Sequence, residues 1–126
     1  MAAERSCDSW PKLSEEEVAS RMDTIPAWRV VQGEDGTAKL ERRFTALNFQ
    51  AAMDFIVAAG AIAEQRNHHP DLHLWGYRNV TIQVFSHGLK GITDNDFALC
   101  RTIDSDVKVI YSPKFLKEHP ELGDTP

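Results

Sequence analysis

Apolar and polar residues alternate from Val80 to Ser86. Val80, Ile82 and Val84 fall on one side and Thr81, Gln83 and Phe85 on the other, the period-two pattern of a half-buried strand. His87 follows with the parity of the second set, so its side chain is expected away from the aliphatic face. A second run, Ala38 to Thr45, sets Leu40, Arg42 and Phe44 against Lys39, Glu41 and Arg43. With Trp28 to Val31 ahead of it and the turn Gly33-Glu34-Asp35-Gly36 between, it predicts a hairpin. The many charges of its return strand suit a sheet edge or a wet face. Asp71 to Gly76, with Leu72 and Leu74 apolar, is read as irregular or a short strand.

Three stretches carry helical periodicity. Ser14 with Glu17 forms a capping box, and Leu13, Val18, Met22 and Ile25 make a short stripe that ends between Asp23 and Pro26. Asn48 is the expected N-cap of the longest helix, roughly Phe49 to Asn67. Phe49, Ala52, Met53, Ile56, Ala59 and Ala63 form its apolar face; Phe55, Val57 and Ile62 fall outside it. A helix apolar over most of its circumference is usually covered on two sides. One side is expected on the sheet and the other on partner subunits. Thr93 with Asp96 opens a third helix through Phe97, Leu99, Cys100 and Ile103. Val107, Val109 and Tyr111 alternate weakly, Pro113 breaks the run, and Glu118 to Pro126 reads as a frayed tail. The order α-β-β-α-β-β-α predicts an α+β fold: an antiparallel sheet with helices on one face. Residues 1–12 are a loose lead-in, and 105–126 a partly ordered C-terminal extension.

At 126 residues the length suits one domain. The net charge of −5 and pI near 5.5 argue against direct nucleic-acid binding, because the field repels a polyanion. Cys7 and Cys100 are neither a disulfide framework nor a zinc spacing, and no apolar leader or span is visible. A soluble, cytoplasmic protein is expected.

Four of the five histidines lie between Glu64 and His87. Imidazole titrates near neutrality and can give or take a proton there. Several imidazoles with no activated Ser or Cys point to proton-transfer chemistry such as dehydration or isomerisation. A metal site is the alternative: His68 or His69 with His73 and His87 offer three nitrogens, and Glu64 or Asp71 an oxygen. No compact ligand spacing is present. His73 and His119 are read as ordinary surface or capping residues, Asp96 as a helix cap, and Trp28 and Phe44 as core. Trp75 suits stacking on a flat heterocycle, or equally an exposed or subunit-facing position. Tyr77 either brings a phenol to the site or packs the sheet.

Glu64, His68-His69-Pro70, Tyr77, His87 and Asp96, at these spacings, resemble the signature of the pterin-4a-carbinolamine dehydratases. LSEEEV, Trp28-Arg29-Val30, NFQAAMDF and GITDNDFALCRTID extend the resemblance over residues 13–104. It implies a four-stranded antiparallel sheet with three helices on one face, in homodimers or homotetramers. It implies a hydro-lyase that removes water from 4a-hydroxytetrahydrobiopterin, giving quinonoid dihydrobiopterin, without metal or organic cofactor. This recycles the pterin of aromatic amino-acid hydroxylases. The family's catalytic histidines map onto His68, His69 and His87, and its substrate-lining positions onto Pro70 and Ser86. Glu64 and Trp75 complete the candidate substrate-binding set. His68 and His87 are expected to act as acid and base, in either order, with His69 assisting. Some animal members also serve as dimerisation cofactors of a homeodomain transcription factor, a second role to be weighed.

Overall fold

A computed structural model describes residues 10–122. Its four-stranded sheet is formed by β1 (Arg29–Gln32), β2 (Ala38–Thr45), β3 (Asp71–Trp75) and β4 (Asn79–Val84). They lie in the order β1-β2-β4-β3, and every neighbouring pair is antiparallel. The helices are α1 (Glu15–Arg21), α2 (Phe49–Arg66), α3 (Asp94–Asp106) and a short α4 (Pro113–Glu118).

Alternation decides which side of the sheet meets the helices. Leu40, Phe44, Val80, Ile82 and Val84 are buried in one cluster with Ala52, Phe55 and Ala59 of α2 and with Phe97, Leu99, Cys100 and Ile103 of α3. Val18, Ile25 and Trp28 close it on the α1 side. The opposite set faces away, with Arg43, His73 and Trp75 exposed. Both capping boxes form, at Ser14/Glu17 and Thr93/Asp96. The Asn48 side chain accepts from the Ala51 N–H at 2.8 Å and starts α2.

The structure departs from the sequence reading in three places. β2 is not an edge: β1 and β4 pair with it on either side. Two of its charges are instead buried with partners, while Arg43 stays exposed. Arg42 is buried and donates to Asp104 at 2.8 Å and to the Tyr111 hydroxyl at 2.7 Å, while Glu41 is buried beneath Arg29 and Gln83. On α2 the buried residues are Ala52, Phe55, Ala59 and Ala63, and Phe49 is half exposed. Phe55 wins the core position because its ring meets Phe44 edge-on at 4.8 Å. The third departure is α4. Pro113 starts this helix rather than breaking a strand, in the first turn where its missing N–H costs nothing. The chain reaches it through a single bridge, Ala46 to Tyr111.

Candidate active site

The histidines gather where α2 ends and β4 ends. α2 stops at Arg66, and Asn67 takes a left-handed conformation (φ 52°) that turns the chain. Asparagine tolerates this geometry better than most residues. His68 then drops into the interior, with 1% of its side chain exposed, and its Nε2 pairs with Asp96 Oδ1. Asp96 is fully buried. Its second oxygen accepts from the Thr93 N–H at 2.7 Å and the Ser86 hydroxyl at 3.0 Å. Asp96 therefore does more than cap α3: it joins α3, β4 and the end of α2 through one carboxylate.

His69 points the other way, as adjacent residues past a helix end must. It is 57% exposed, and its Nε2 meets Glu64 Oε1 at 2.8 Å. Pro70 follows and leads into β3. His87 opens the turn after β4, which the Ser86–Gly91 bridge closes. Parity separates the neighbours Ser86 and His87: Ser86 is buried on the helix side, whereas His87 is 57% exposed. The His87 ring lies 4.2 Å from the Phe85 ring, centre to centre, and its Nε2 is 3.8 Å from Asp71 Oδ1. Asp71 is two residues past His69, so the helix end and the strand end do converge.

One arrangement recurs. Each of the three imidazoles faces a carboxylate through Nε2: His68 with Asp96, His69 with Glu64, His87 with Asp71. A carboxylate held beside imidazole orients the ring and stabilises its protonated form. Such pairs suit proton transfer.

The other candidates fall elsewhere. Trp75 sits at the far end of β3 from Asp71, about 13 Å along the strand, and pairs with Asn79. Arg43 packs over its ring at 5.5 Å. Tyr77 is exposed in the β3–β4 turn, where it and Gly76 both have φ 56°. Within the protomer neither reaches the histidines. Ser86 has no exposed surface, so its hydroxyl serves Asp96 rather than an open pocket. His73 is exposed in β3 opposite Thr81, and His119 caps α4 with Nδ1 on the Phe115 carbonyl. Among the described residues no three His, Cys, Asp or Glu side chains gather as a metal ligand set. Three clefts of about 540, 600 and 380 Å³ open elsewhere on the surface, and His68, His69 and His87 line none of them. Sequence reasoning gave Asp71 a role only as a metal ligand; its place beside His87 depends on the β3–β4 register, which no local pattern carries.

Fold and site define an α+β protein whose clustered histidines are set against carboxylates. The family model described as pterin 4 alpha carbinolamine dehydratase matches residues 11–105, and the chain belongs to this family. It is 35% identical over 92 residues to Arabidopsis thaliana pterin-4-alpha-carbinolamine dehydratase 2, mitochondrial, which covers 73% of this chain and 49% of that protein. This chain thus spans about half the length of the Arabidopsis relative. A Nitrosococcus oceani protein whose name carries the same dehydratase designation is 37% identical over 98 residues, covering 78% of this chain and 85% of its own. A crystal structure of a Brucella melitensis protein described as a transcriptional coactivator/pterin dehydratase superposes with a TM-score of 0.67 at 26% identity, over 75% of this chain and 97% of that one. A pterin dehydratase-like protein identified as a RuBisCO assembly factor in the alpha-carboxysome shares the fold at 24% identity, with a TM-score of 0.51 over 63% of this chain and 87% of that one.

Proposed function

We propose that this chain is a hydro-lyase that dehydrates 4a-hydroxytetrahydrobiopterin to quinonoid dihydrobiopterin, recycling the pterin used by aromatic amino-acid hydroxylases. The observation that carries the reading is the triple imidazole–carboxylate pairing at the His68, His69 and His87 positions of a family member. Loss of the 4a-hydroxyl needs one proton delivered to the departing oxygen and one removed from a ring nitrogen. On this reading His69 and His87, both 57% exposed, meet substrate directly. His68, sealed against Asp96, supports the site from within and passes a proton only where substrate reaches the α2 end. This revises the division of labour expected from the sequence, in which His69 assisted and His68 was paired with His87. Glu64 and Pro70 border the exposed side of the same site, and Trp75 would join it only from a neighbouring subunit. Stopped-flow dehydration of synthetic 4a-hydroxytetrahydropterin, with and without EDTA, tests the reading. Catalysis that survives chelation supports it; no acceleration over buffer sinks it, and loss of activity with EDTA moves the site to metal chemistry.

A second reading has its own observation. Phe49 and Val57 of α2 are 51% and 65% exposed, and Met53 and Ile56 between them are only partly buried, Ile56 with one side on the core. Such a stripe is suited to self-association, as a homodimer or homotetramer through residues 49–67, or to a protein partner. A dimerisation-cofactor role for a transcription factor would use this surface; a pull-down with the partner's dimerisation segment, beside the dehydration assay, separates the roles. We also place the protein in the cytosol. No described helix is long and apolar enough to cross a membrane, and the buried free thiol of Cys100 fits a reducing compartment. Fractionation against mitochondrial markers checks the assignment.

A further inference from the structure

One rib of polar side chains crosses all four strands on the sheet face away from the helices. Arg29 lies opposite Glu41, Glu41 opposite Gln83, and Gln83 opposite Asp71. Directly opposed side chains in antiparallel strands are close enough to interact, and two of these steps are hydrogen-bonded. Arg29 Nη2 and Nε donate to Glu41 Oε1 at 2.9 and 3.2 Å, and Gln83 Nε2 donates to Glu41 Oε2 at 2.7 Å. The rib ends where Asp71 Oδ1 faces His87 Nε2 at 3.8 Å.

Each member has a distinct part. Arg29 offsets the charge of the buried Glu41. Neutral Gln83 keeps that carboxylate apart from Asp71. Among the described residues, the imidazole of His87 is the basic group within ion-pair distance of Asp71. The ring of His87 has two freedoms, tilt and rotation about χ2. Phe85, its ring centre 4.2 Å away and tilted 41° to the imidazole, limits the first. Asp71 decides the second, because it draws one ring edge toward β3. Nε2 is then held toward Asp71 on β3, and Nδ1 is the nitrogen left to work on substrate.

We propose that Asp71, at the β3 end of this rib, is a positioning residue for His87, and that it selects Nδ1 of His87 as the nitrogen that exchanges a proton with the carbinolamine. This rests on the dehydratase reading. The 3.8 Å separation is ion-pair range; a shift of about 1 Å brings it to ordinary hydrogen-bond length, as happens when catalytic contacts tighten around a bound substrate.

The test uses Asp71→Ala and Asp71→Glu in the full chain. In Asp71→Ala we expect kcat to fall by about tenfold or more, up to the roughly 10⁴-fold seen when a carboxylate that fixes a working imidazole's tautomer is lost, with KM within about twofold of wild type. Asp71→Glu should recover most of the loss. Long-range ¹H–¹⁵N spectra of the histidine side chains, with His87 assigned by His87→Gln, read the neutral ring directly. Wild type and Asp71→Glu should show the Nε2–H tautomer, and Asp71→Ala a mixture. A purely structural role for Asp71 would lower Tm without moving the tautomer. An unchanged tautomer, or unchanged kcat in an active wild-type enzyme, overturns the proposal. If wild type does not dehydrate the carbinolamine, the functional reading fails separately, while the spectra still decide whether Asp71 orients His87.

Discussion

His68 and His87 separate stability from activity at the level of single residues. His68 and Asp96 are both sealed from solvent. Removing His68 leaves Asp96 Oδ1 without its imidazole partner, although Oδ2 keeps Thr93 and Ser86, and a buried polar atom stripped of its partner costs about 1–3 kcal/mol. His68→Ala should therefore lower Tm sharply. His87 is more than half exposed, and its removal should change stability by less than about 1 kcal/mol, yet reduce kcat by about 10²–10⁴-fold if it carries a proton. Thermal melts and kinetics on the two variants check this contrast; a stable His68→Ala or a fully active His87→Ala would contradict it. Glu41 supplies a pH test. Burial pushes its carboxyl upward, but the hydrogen bonds from Gln83 and Arg29 and the charges of Arg29 and Arg43 outweigh it, so the net shift is downward. A carboxylate depressed in the folded state stabilises fully above its unfolded value, and that stability is lost as pH falls through the lowered folded value. Glu41→Gln should flatten the acid side of the Tm-against-pH curve and leave the shape near neutrality unchanged. Asp104 acts with the opposite sign, since burial raises it despite its bonds to Trp28 and Arg42. The grouping of the histidines at a helix end and a strand end is readable from residue type and spacing, which leave proton transfer and metal binding both open. The histidines' carboxylate partners are less readable. Glu64 is five residues from His69 and can be guessed, whereas Asp96 and Asp71 reach their partners only through the packing of α3 and the register of β3.

At the level of elements, alternation places β2 and β4 nearly to the residue, because period two survives wherever one face is buried. It cannot say which strand lies inside the sheet. The charges of β2 suggested an edge or a wet face; Arg43 is exposed on the outer face, yet β2 is central, and Arg42 and Glu41 are buried with partners supplied by β1, β4, α3 and the C-terminal segment. α2 shows the matching limit for helices. When most of the circumference is apolar, periodicity leaves the core face undecided, and the edge-on contact of Phe55 with Phe44 settles it. What remains outside is the stripe from Phe49 to Val57, which carries the self-association proposed above. Val57 is the most exposed apolar residue on that stripe. A lysine there would place an unpaired charge in any interface built on α2, while in a monomer it would stay in water and cost little. Val57→Lys should dissociate the oligomer with Tm of the protomer nearly unchanged. Sedimentation velocity at micromolar concentration reads this: a wild-type protein that already sediments as a monomer removes the oligomer, and a variant that stays associated moves the interface elsewhere.

For the whole molecule, the question is whether the segment beyond α3 belongs to the core or merely follows it. The family match ends at residue 105, but several contacts cross that boundary. Val107 is buried with the core cluster. Tyr111 packs edge-on against Phe44 at 5.7 Å and accepts a hydrogen bond from the buried Arg42. Ser112 donates its N–H to Thr45 and Leu47 donates to Ile110, at 2.9 Å each, and Phe115 stacks on Tyr111 at 5.5 Å. Burying one large side chain stabilises by about 1.5–3 kcal/mol, and stripping a partner from a buried polar group costs about 1–3 kcal/mol. Ending the chain after Asp106 removes Val107 and Tyr111, uncovers Phe44, and leaves Arg42 with Asp104 alone. The truncated protein should fold with Tm lower by at least about 10 °C, the shift that a loss of two or more kcal/mol produces in a domain this size. Its turnover, measured below both melting temperatures, should stay within about twofold of the full chain, because among the described residues none past Asp106 pairs with the histidine–carboxylate cluster. A calorimetric Tm within two or three degrees of the full chain would mean that these contacts contribute nothing net. A turnover that collapses while the fold persists would mean instead that the extension reaches the site, from its own protomer or from a neighbour.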